Sequence, residues 1–63
     1  MDMKNLPIGT KLESEYGTWV ITNVTRYQNC TWYDLRGDRG SVVVYPSNIG
    51  TLVESGTHYK VVA

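Results

Sequence analysis

The pattern of apolar and polar residues divides the chain into short segments that have the character of β-strands. Clusters of Gly, Pro, Asn and Ser interrupt the sequence every few residues, and the segments between them are rich in Val, Ile, Thr, Tyr and Trp. These are the residues that favour a pleated, half-buried surface. The sequence therefore predicts an all-β fold of about five antiparallel strands, which comprise residues 11–16, 18–27, 30–35, 41–45 and 58–63.

The longest predicted strand, residues 18–27, contains a change of phase. Trp19 and Ile21 share one face by the period of two, whereas Val24 falls on the opposite face. An additional residue between Ile21 and Val24, as in a β-bulge, returns all three side chains to the same side. We therefore expect a bulge at this point, of the kind that bends strands in small barrels.

The core is predicted from the same alternation, except in the third strand. There Tyr33 and Leu35 alternate with Trp32 and Asp34, and only one of these two sets faces inward. The pattern alone leaves both choices open. The other strands and the segment that follows the fourth contribute the residues expected in the core: Trp19, Ile21, Val24, Val42, Val44, Leu52 and Val61.

The segment between the fourth and the last strand has a different spacing. Ile49, Leu52 and Val53 recur at intervals of three and four, which is typical of one apolar face of a helical turn. Ser47 precedes them as a residue that caps free amides, and Gly56 is expected to end the turn in a left-handed conformation. The sequence thus predicts one short helical or 3-10 turn before the last strand.

Length and charge restrict the class of protein. Sixty-three residues form one domain at most, so residues 1–63 are predicted to be a single small β-barrel domain, and the formal net charge is +0. This balance argues against a protein that coats nucleic acid without regard to sequence. The chain contains no apolar stretch of signal-peptide or membrane-span length, so we expect a cytoplasmic location and no contact with a membrane.

The residues that carry chemistry are few. The chain has one Cys and one His, Cys30 and His58, and nothing in the sequence supplies a third group that orients them as a catalytic pair. One Cys and one His also fall short of the usual zinc ligand set. We therefore expect no enzymatic activity, no cofactor and no metal site.

The Arg36-Gly37-Asp38 tripeptide has the form of an adhesion motif, but it also lies where the third and fourth strands must be joined. Gly37 and Gly40 permit the positive φ angles that tight hairpins require. Because the chain shows no secretion signal, the turn interpretation is favoured over an integrin ligand.

Four stretches in this order resemble a known family: "LPIGTKL", "GTWVITNV", a hairpin glycine, and "PSNIGTLVESG" before a terminal strand. The arrangement is similar to small Src-homology-3-like (SH3-like) barrels, in particular to small proteins encoded by bacteriophages. The resemblance implies an SH3-like barrel, a phage origin and a protein that binds and inhibits or modulates a host protein in the host cytoplasm. Polyproline binding is not implied, because Glu13 and Glu15 are only a loose equivalent of the acidic loop residues in the eukaryotic members.

A set of aromatic and basic residues forms the candidate binding site. The set is consistent with outward positions of the second to fourth strands and their connecting turn: Tyr27, Trp32, Arg36, Arg39 and Tyr45. The alternative is that Trp32 and Tyr45 fill a core that lacks Phe. Tyr, Trp and Arg anchor protein interfaces, and they also stack on bases and neutralise phosphates. The zero net charge favours a protein partner, and binding of single-stranded nucleic acid is the alternative. A structural component of a virion and a homodimer formed through a strand edge also remain open.

Overall fold

The computed structural model describes residues 3–62 and shows a closed antiparallel barrel of six strands. Neighbours in the barrel are neighbours in the sequence, and β1 closes the barrel by pairing with both β2 and β6. The predicted all-β barrel class is confirmed. The strands are β1 (Lys11–Ser14), β2 (Gly17–Tyr27), β3 (Cys30–Gly37), β4 (Gly40–Pro46), β5 (Leu52–Glu54) and β6 (Thr57–Val61).

The predicted helical turn is wrong, because none of the residues 3–62 lies in a helix and the segment instead contains a turn followed by β5. Leu52 and Val53 lie in β5, where they pair with β4 on one side and β6 on the other. Ile49 is 71% exposed and so does not share an apolar face with them. A single helical turn is costly to nucleate, and the two ladders offer these residues more hydrogen bonds.

Gly56 adopts the expected left-handed conformation, but in a β-hairpin. Ser55 and Gly56 have φ angles of +49° and +83° and form the two-residue turn between β5 and β6. Positive φ at both central positions is the signature of the type I′ turn, whose twist matches that of antiparallel strands. The same glycine signal is used by helix ends and hairpins, which is why the sequence did not distinguish them.

The bulge predicted in β2 is confirmed. Ile21 pairs with Leu35 and Asn23 with Asp34, so the register shifts by one residue between these two pairs. Ile21 is buried, and beyond the shift Val24 packs against the same core. The extra residue keeps the apolar side chains of a long, bent strand on the inside of the barrel.

The core contains all seven predicted residues, four of them buried and three, Val24, Val42 and Val61, partly buried against it. In β3, Tyr33 and Leu35 face inward, which resolves the choice that the pattern left open. The buried apolar residues are Met3, Leu6, Leu12, Trp19, Ile21, Tyr33, Leu35, Val44, Leu52 and Tyr59.

Tyr33 attaches the N-terminal segment to the barrel. Its side chain is fully buried, and its hydroxyl donates a hydrogen bond to the carbonyl of Met3 at 2.6 Å. The amide of Leu6 donates to the same oxygen at 3.2 Å. Met3 and Leu6 are both buried, so this segment completes the core of the barrel.

Gly37 is required by packing. A Cβ at this position would lie 2.8 Å from the Trp19 ring and 2.8 Å from the carbonyl oxygen of Thr18, closer than nonbonded atoms approach. The positive φ expected in this hairpin is found at Gly40, at +115°. The two glycines of the loop therefore serve different purposes, close approach and turn geometry.

Candidate partner-binding face

An exposed aromatic pair lies on the outside of β3 and β4. Because Tyr33 and Val44 point into the core, the residues that flank them in each strand, Trp32 and Tyr45, point outward. Their ring centroids are 6.2 Å apart with an interplanar angle of 49°. Tyr45 is 50% exposed and Trp32 is half-buried, so both belong to the outer surface.

Charged and apolar residues continue this surface along the two strands. Asp34 and Arg36 follow Trp32 at alternate positions of β3, and Val43 precedes Tyr45 in β4. Val43 pairs with Asp34 and is 42% exposed. We call this surface the β3–β4 outer face, which consists of Trp32, Asp34, Arg36, Val43 and Tyr45. The backbone of Arg36 belongs to the ladders with β2 and β4, but its guanidinium forms no side-chain hydrogen bond or ion pair with any residue in 3–62.

Tyr27 extends the outer face beyond Trp32. It is 64% exposed at the end of β2 and pairs with Cys30. Thr25, two residues earlier in β2, pairs with Trp32, so Tyr27 lies on the same side of the sheet. The structure therefore brings Tyr27, Trp32 and Tyr45 to adjoining outward positions of three strands.

Arg39 lies at the opposite end of the β3–β4 hairpin. It is in the two-residue loop between Gly37 and Gly40, and Gly37 already lies about 17 Å from Trp32 at the usual rise of a strand. Its guanidinium is 5.8 Å from the centroid of the Tyr16 ring, which is 49% exposed. Among the predicted site residues, Arg39 is thus separate from the aromatic pair and belongs with Tyr16 in a cation–π contact.

Sequence reasoning did not include Tyr16 or Val43 in the candidate site. For Val43 a signal was present, because its neighbours Val42 and Val44 were assigned to the core and alternation places Val43 outside. For Tyr16 there was none, since its contact with Arg39 joins two loops that are distant in sequence.

A shallow hollow of about 200 Å³ adjoins Tyr45. The exposed thiol of Cys30 contributes to its wall. The lining residues are Lys4, Asn29, Cys30, Thr31, Tyr45 and Pro46. The outer face therefore has a concave border on the side of the β2–β3 turn.

His58 belongs to a polar chain on another part of the barrel. The hydroxyl of Ser47 accepts hydrogen bonds from the amides of Ile49 at 3.3 Å and Thr51 at 3.2 Å. With both lone pairs used, its proton goes to the Thr51 hydroxyl at 2.8 Å. The Thr51 hydroxyl lies 2.8 Å from Nδ1 of His58, where an imidazole with its proton on Nε2 can accept the hydrogen bond.

The structure does not join Cys30 and His58 in one site. His58 borders a second hollow of about 200 Å³, lined also by Glu13, Ser14, Glu15 and Lys60, and none of these residues lines the hollow beside Cys30. Within residues 3–62, no three His, Cys, Asp or Glu side chains come together as metal ligands. No helix in this range is long and apolar enough to cross a membrane.

Comparisons with protein-family models, with curated proteins and with solved structures gave no match to this chain. The SH3-like character and the phage origin implied by the sequence resemblance therefore stay predictions. A functional proposal for this barrel depends on that resemblance and on the geometry of the β3–β4 outer face.

Proposed function

We propose that this chain is a non-catalytic binding module that recognises a protein partner through the β3–β4 outer face. The observation that carries the proposal is the Trp32–Tyr45 pair, whose rings lie outside the barrel at 6.2 Å from each other. Aromatic rings on a rigid sheet lose little conformational freedom on binding, and Trp, Tyr and Arg dominate the energy of protein interfaces.

The mixture of residues on the face favours a protein over a nucleic acid. Asp34 lies between Trp32 and Arg36 in β3, and Val43 lies next to it in β4. A carboxylate in the middle of the surface repels phosphates, whereas a partner protein can offer it a cation or an amide. The exposed Val43 supplies apolar area that a protein core residue can cover.

The resemblance to phage-encoded barrels indicates the kind of partner and the compartment that we propose. On this basis we propose that the chain is a phage-type small protein that acts in the cytoplasm of the host cell. It binds one host protein and inhibits or modulates its activity by covering a surface, without chemistry of its own.

Binding of single-stranded nucleic acid is the second candidate, and it is favoured by one observation. Tyr27, Trp32 and Tyr45 lie on neighbouring strands with Arg36 beside them, which is the combination that stacks bases and contacts phosphates. This binding is expected to weaken steeply as salt concentration rises, because each phosphate contact releases a counterion.

The experiment is affinity capture from a bacterial lysate with the immobilised protein and two matched variants. Tyr45→Ala removes a ring from the outer face, and Tyr16→Ala removes a ring of nearly equal exposure, 49% against 50%, from the far loop. We expect the same protein to be retained by the parent and Tyr16→Ala, with and without nuclease. Its dissociation constant should rise about 5- to 30-fold with Tyr45→Ala, which corresponds to about 1–2 kcal/mol.

Equal retention by the parent and both variants contradicts the assignment of the face. Retention that disappears after nuclease treatment supports the nucleic-acid candidate instead. Dispersed amide spectra of both variants show that a loss of binding is not a loss of fold.

A further inference from the structure

One edge of β4 is open along most of its length. β4 extends from Gly40 to Pro46, but it pairs with β5 only through Tyr45 and Pro46. β5 then ends at Glu54 and turns toward β6. From Gly40 to Val44, no strand within residues 3–62 pairs with the edge of β4 that faces away from β3.

The alternation of hydrogen bonds identifies which peptide groups point to this edge. The amide of Ser47 donates to the carbonyl of Thr51 at 2.9 Å, on the β5 side of the chain. Peptide groups of alternate residues in an antiparallel strand point to the same side. The N–H and C=O groups of Tyr45, Val43 and Ser41 therefore face this edge, and those of Val43 and Ser41 have no backbone partner in the described chain.

This edge lacks the features by which proteins protect exposed strands. Such edges usually carry a charged residue, a proline or a bulge. Residues 40–45 read GSVVVY, without a charge, and Pro46 lies in the part that β5 already covers. Val43 is 42% exposed within the open stretch, beside the aromatic pair. The edge is thus continuous with the β3–β4 outer face.

We propose that residues 41–43 are a strand-addition site for an extended segment of the partner protein. The segment runs antiparallel to β4 and exchanges four backbone hydrogen bonds with Ser41 and Val43. It carries an apolar residue opposite Val43 and, two residues later, an Asp or Glu opposite Ser41. This inference rests on the proposed function, because it names how the partner reaches the outer face.

The carboxylate is specified by Arg36. Arg36 is the cross-strand neighbour of Ser41 and points to the same outer side. An added strand lies two strand spacings from β3, about 10 Å, a distance that an Arg and a Glu side chain bridge together. The short side chain of Ser41 leaves the path clear, and Arg36 has no acidic partner within residues 3–62.

A flexible segment fits this edge better than a second copy of the chain. A symmetric pair that uses Ser41 and Val43 of both copies places Val42 opposite its counterpart. Arg39 of one copy then falls opposite Tyr45 of the other, where Val53 of β5 already pairs. A folded hairpin cannot occupy that position, whereas the end of an extended segment can turn away from the barrel.

The test uses a displayed library of random nonapeptides, selected on the immobilised protein. We expect enrichment of peptides in which an apolar residue precedes Asp or Glu by two positions. When the same library is selected on Arg36→Glu, Lys or Arg should replace Asp or Glu at the position two residues after the apolar one. On Lys60→Glu, a charge-matched control at an exposed site in β6, the acidic preference should be unchanged.

Two measurements then locate the bound peptide. In titrations followed by amide spectra, the signals of Ser41 and Val43 should shift, and their hydrogen exchange should slow. Ligation at Cys30 gives a chain with an N-methyl group on Val43, which removes one edge donor and leaves every side chain intact. We expect this chain to bind the enriched peptide at least tenfold more weakly.

Several results would overturn the proposal: no enrichment, an acidic preference that persists on Arg36→Glu, or peptides that shift Trp32 and Tyr45 but leave the edge amides unchanged. Protection of the edge amides by self-association of the free protein would assign the edge to a second copy. If Tyr45→Ala abolishes partner capture while the library fails, only strand addition is refuted. If peptides bind at the edge but Tyr45→Ala captures the partner protein as well as the parent does, the proposed role of the outer face is refuted instead.

Discussion

Tyr33→Phe is a substitution that removes one buried oxygen atom and nothing else. In the folded protein this hydroxyl donates its proton to the carbonyl of Met3, and its oxygen accepts from the amide of Leu6. Phenylalanine fills the same volume in the core, so packing is preserved and the change isolates the two hydrogen bonds. Because both bonds connect the barrel to the N-terminal segment, we expect the segment to be released before the barrel unfolds.

The magnitude follows from the two partners that are left without a bond. Leaving a buried donor or acceptor unsatisfied costs about 1–3 kcal/mol each. The segment can recover part of this by admitting water, so we expect a total loss of about 2–3 kcal/mol in the free energy of unfolding. A domain of this size is stable by only about 3–9 kcal/mol, so the loss is a large fraction of the whole.

The assay combines chemical denaturation with amide hydrogen exchange. We expect the denaturation midpoint to fall, and the melting temperature to drop by about 10–20 °C for a small domain. The amide of Leu6 should exchange much faster, whereas the amides of β2 and β3 should keep most of their protection under native conditions.

Tyr27→Phe is the matched control, since Tyr27 is 64% exposed and its hydroxyl has no hydrogen-bond partner among residues 3–62. We expect this variant to lose less than about 0.5 kcal/mol. A loss of the same small size for Tyr33→Phe, or unchanged protection of Leu6, would refute the reasoning that Tyr33 holds the segment in place.

Three further predictions concern the core and two titratable side chains. Trp19→Ala removes a buried ring whose centroid lies 5.5 Å from that of Tyr59 in an edge-to-face contact. The free energy of unfolding should fall by about 3–5 kcal/mol, so much of the chain should be unfolded and its amide signals poorly dispersed. A fully dispersed amide spectrum would contradict this. The tautomer of His58 with its proton on Nε2 should be the one found, since Nδ1 can then accept from Thr51; long-range ¹H–¹⁵N spectra report the tautomer directly, and a proton on Nδ1 would make the imidazole the donor to Thr51 instead. Burial raises the pKa of Tyr59 above the ordinary value of 10.0, so the unfolded chain ionises first and the free energy of unfolding should fall as pH rises above about 10. Tyr59→Phe should flatten that alkaline decline, and an unchanged slope would show that other groups cause it.

Much of the barrel was predictable because the period of two is a local signal. The face of each strand and the bulge in β2 follow from which neighbouring residues are apolar, and the structure confirms the bulge between Ile21 and Asn23. The helical turn failed because the spacing of Ile49, Leu52 and Val53 also arises when a turn runs into a strand. Pairing with β4 and β6 decides between the two, and the spacing of the apolar residues does not report that pairing.

The candidate site was predictable in residue type but not in grouping. Aromatic and basic residues at alternate positions indicated an outer surface, and the structure places Trp32 and Tyr45 in contact there. The separation of Arg39 depends on a loop that carries Tyr16, 23 residues earlier in the sequence. The open edge of β4 depends on where β5 ends. Neither property has a local signature.

The connection between β1 and β6 also determines the order in which the barrel assembles. The strands from β1 to β4 are joined in sequence by two-residue turns, so their ladders close over short loops at little entropic cost. Closure instead pairs Leu12 with Val61, across most of the chain, and such distant contacts form slowly. We therefore expect the meander of β1 to β4 to form first and the seam between β1 and β6 to form last. Substitutions in the meander should slow folding, whereas substitutions at the seam should mainly accelerate unfolding.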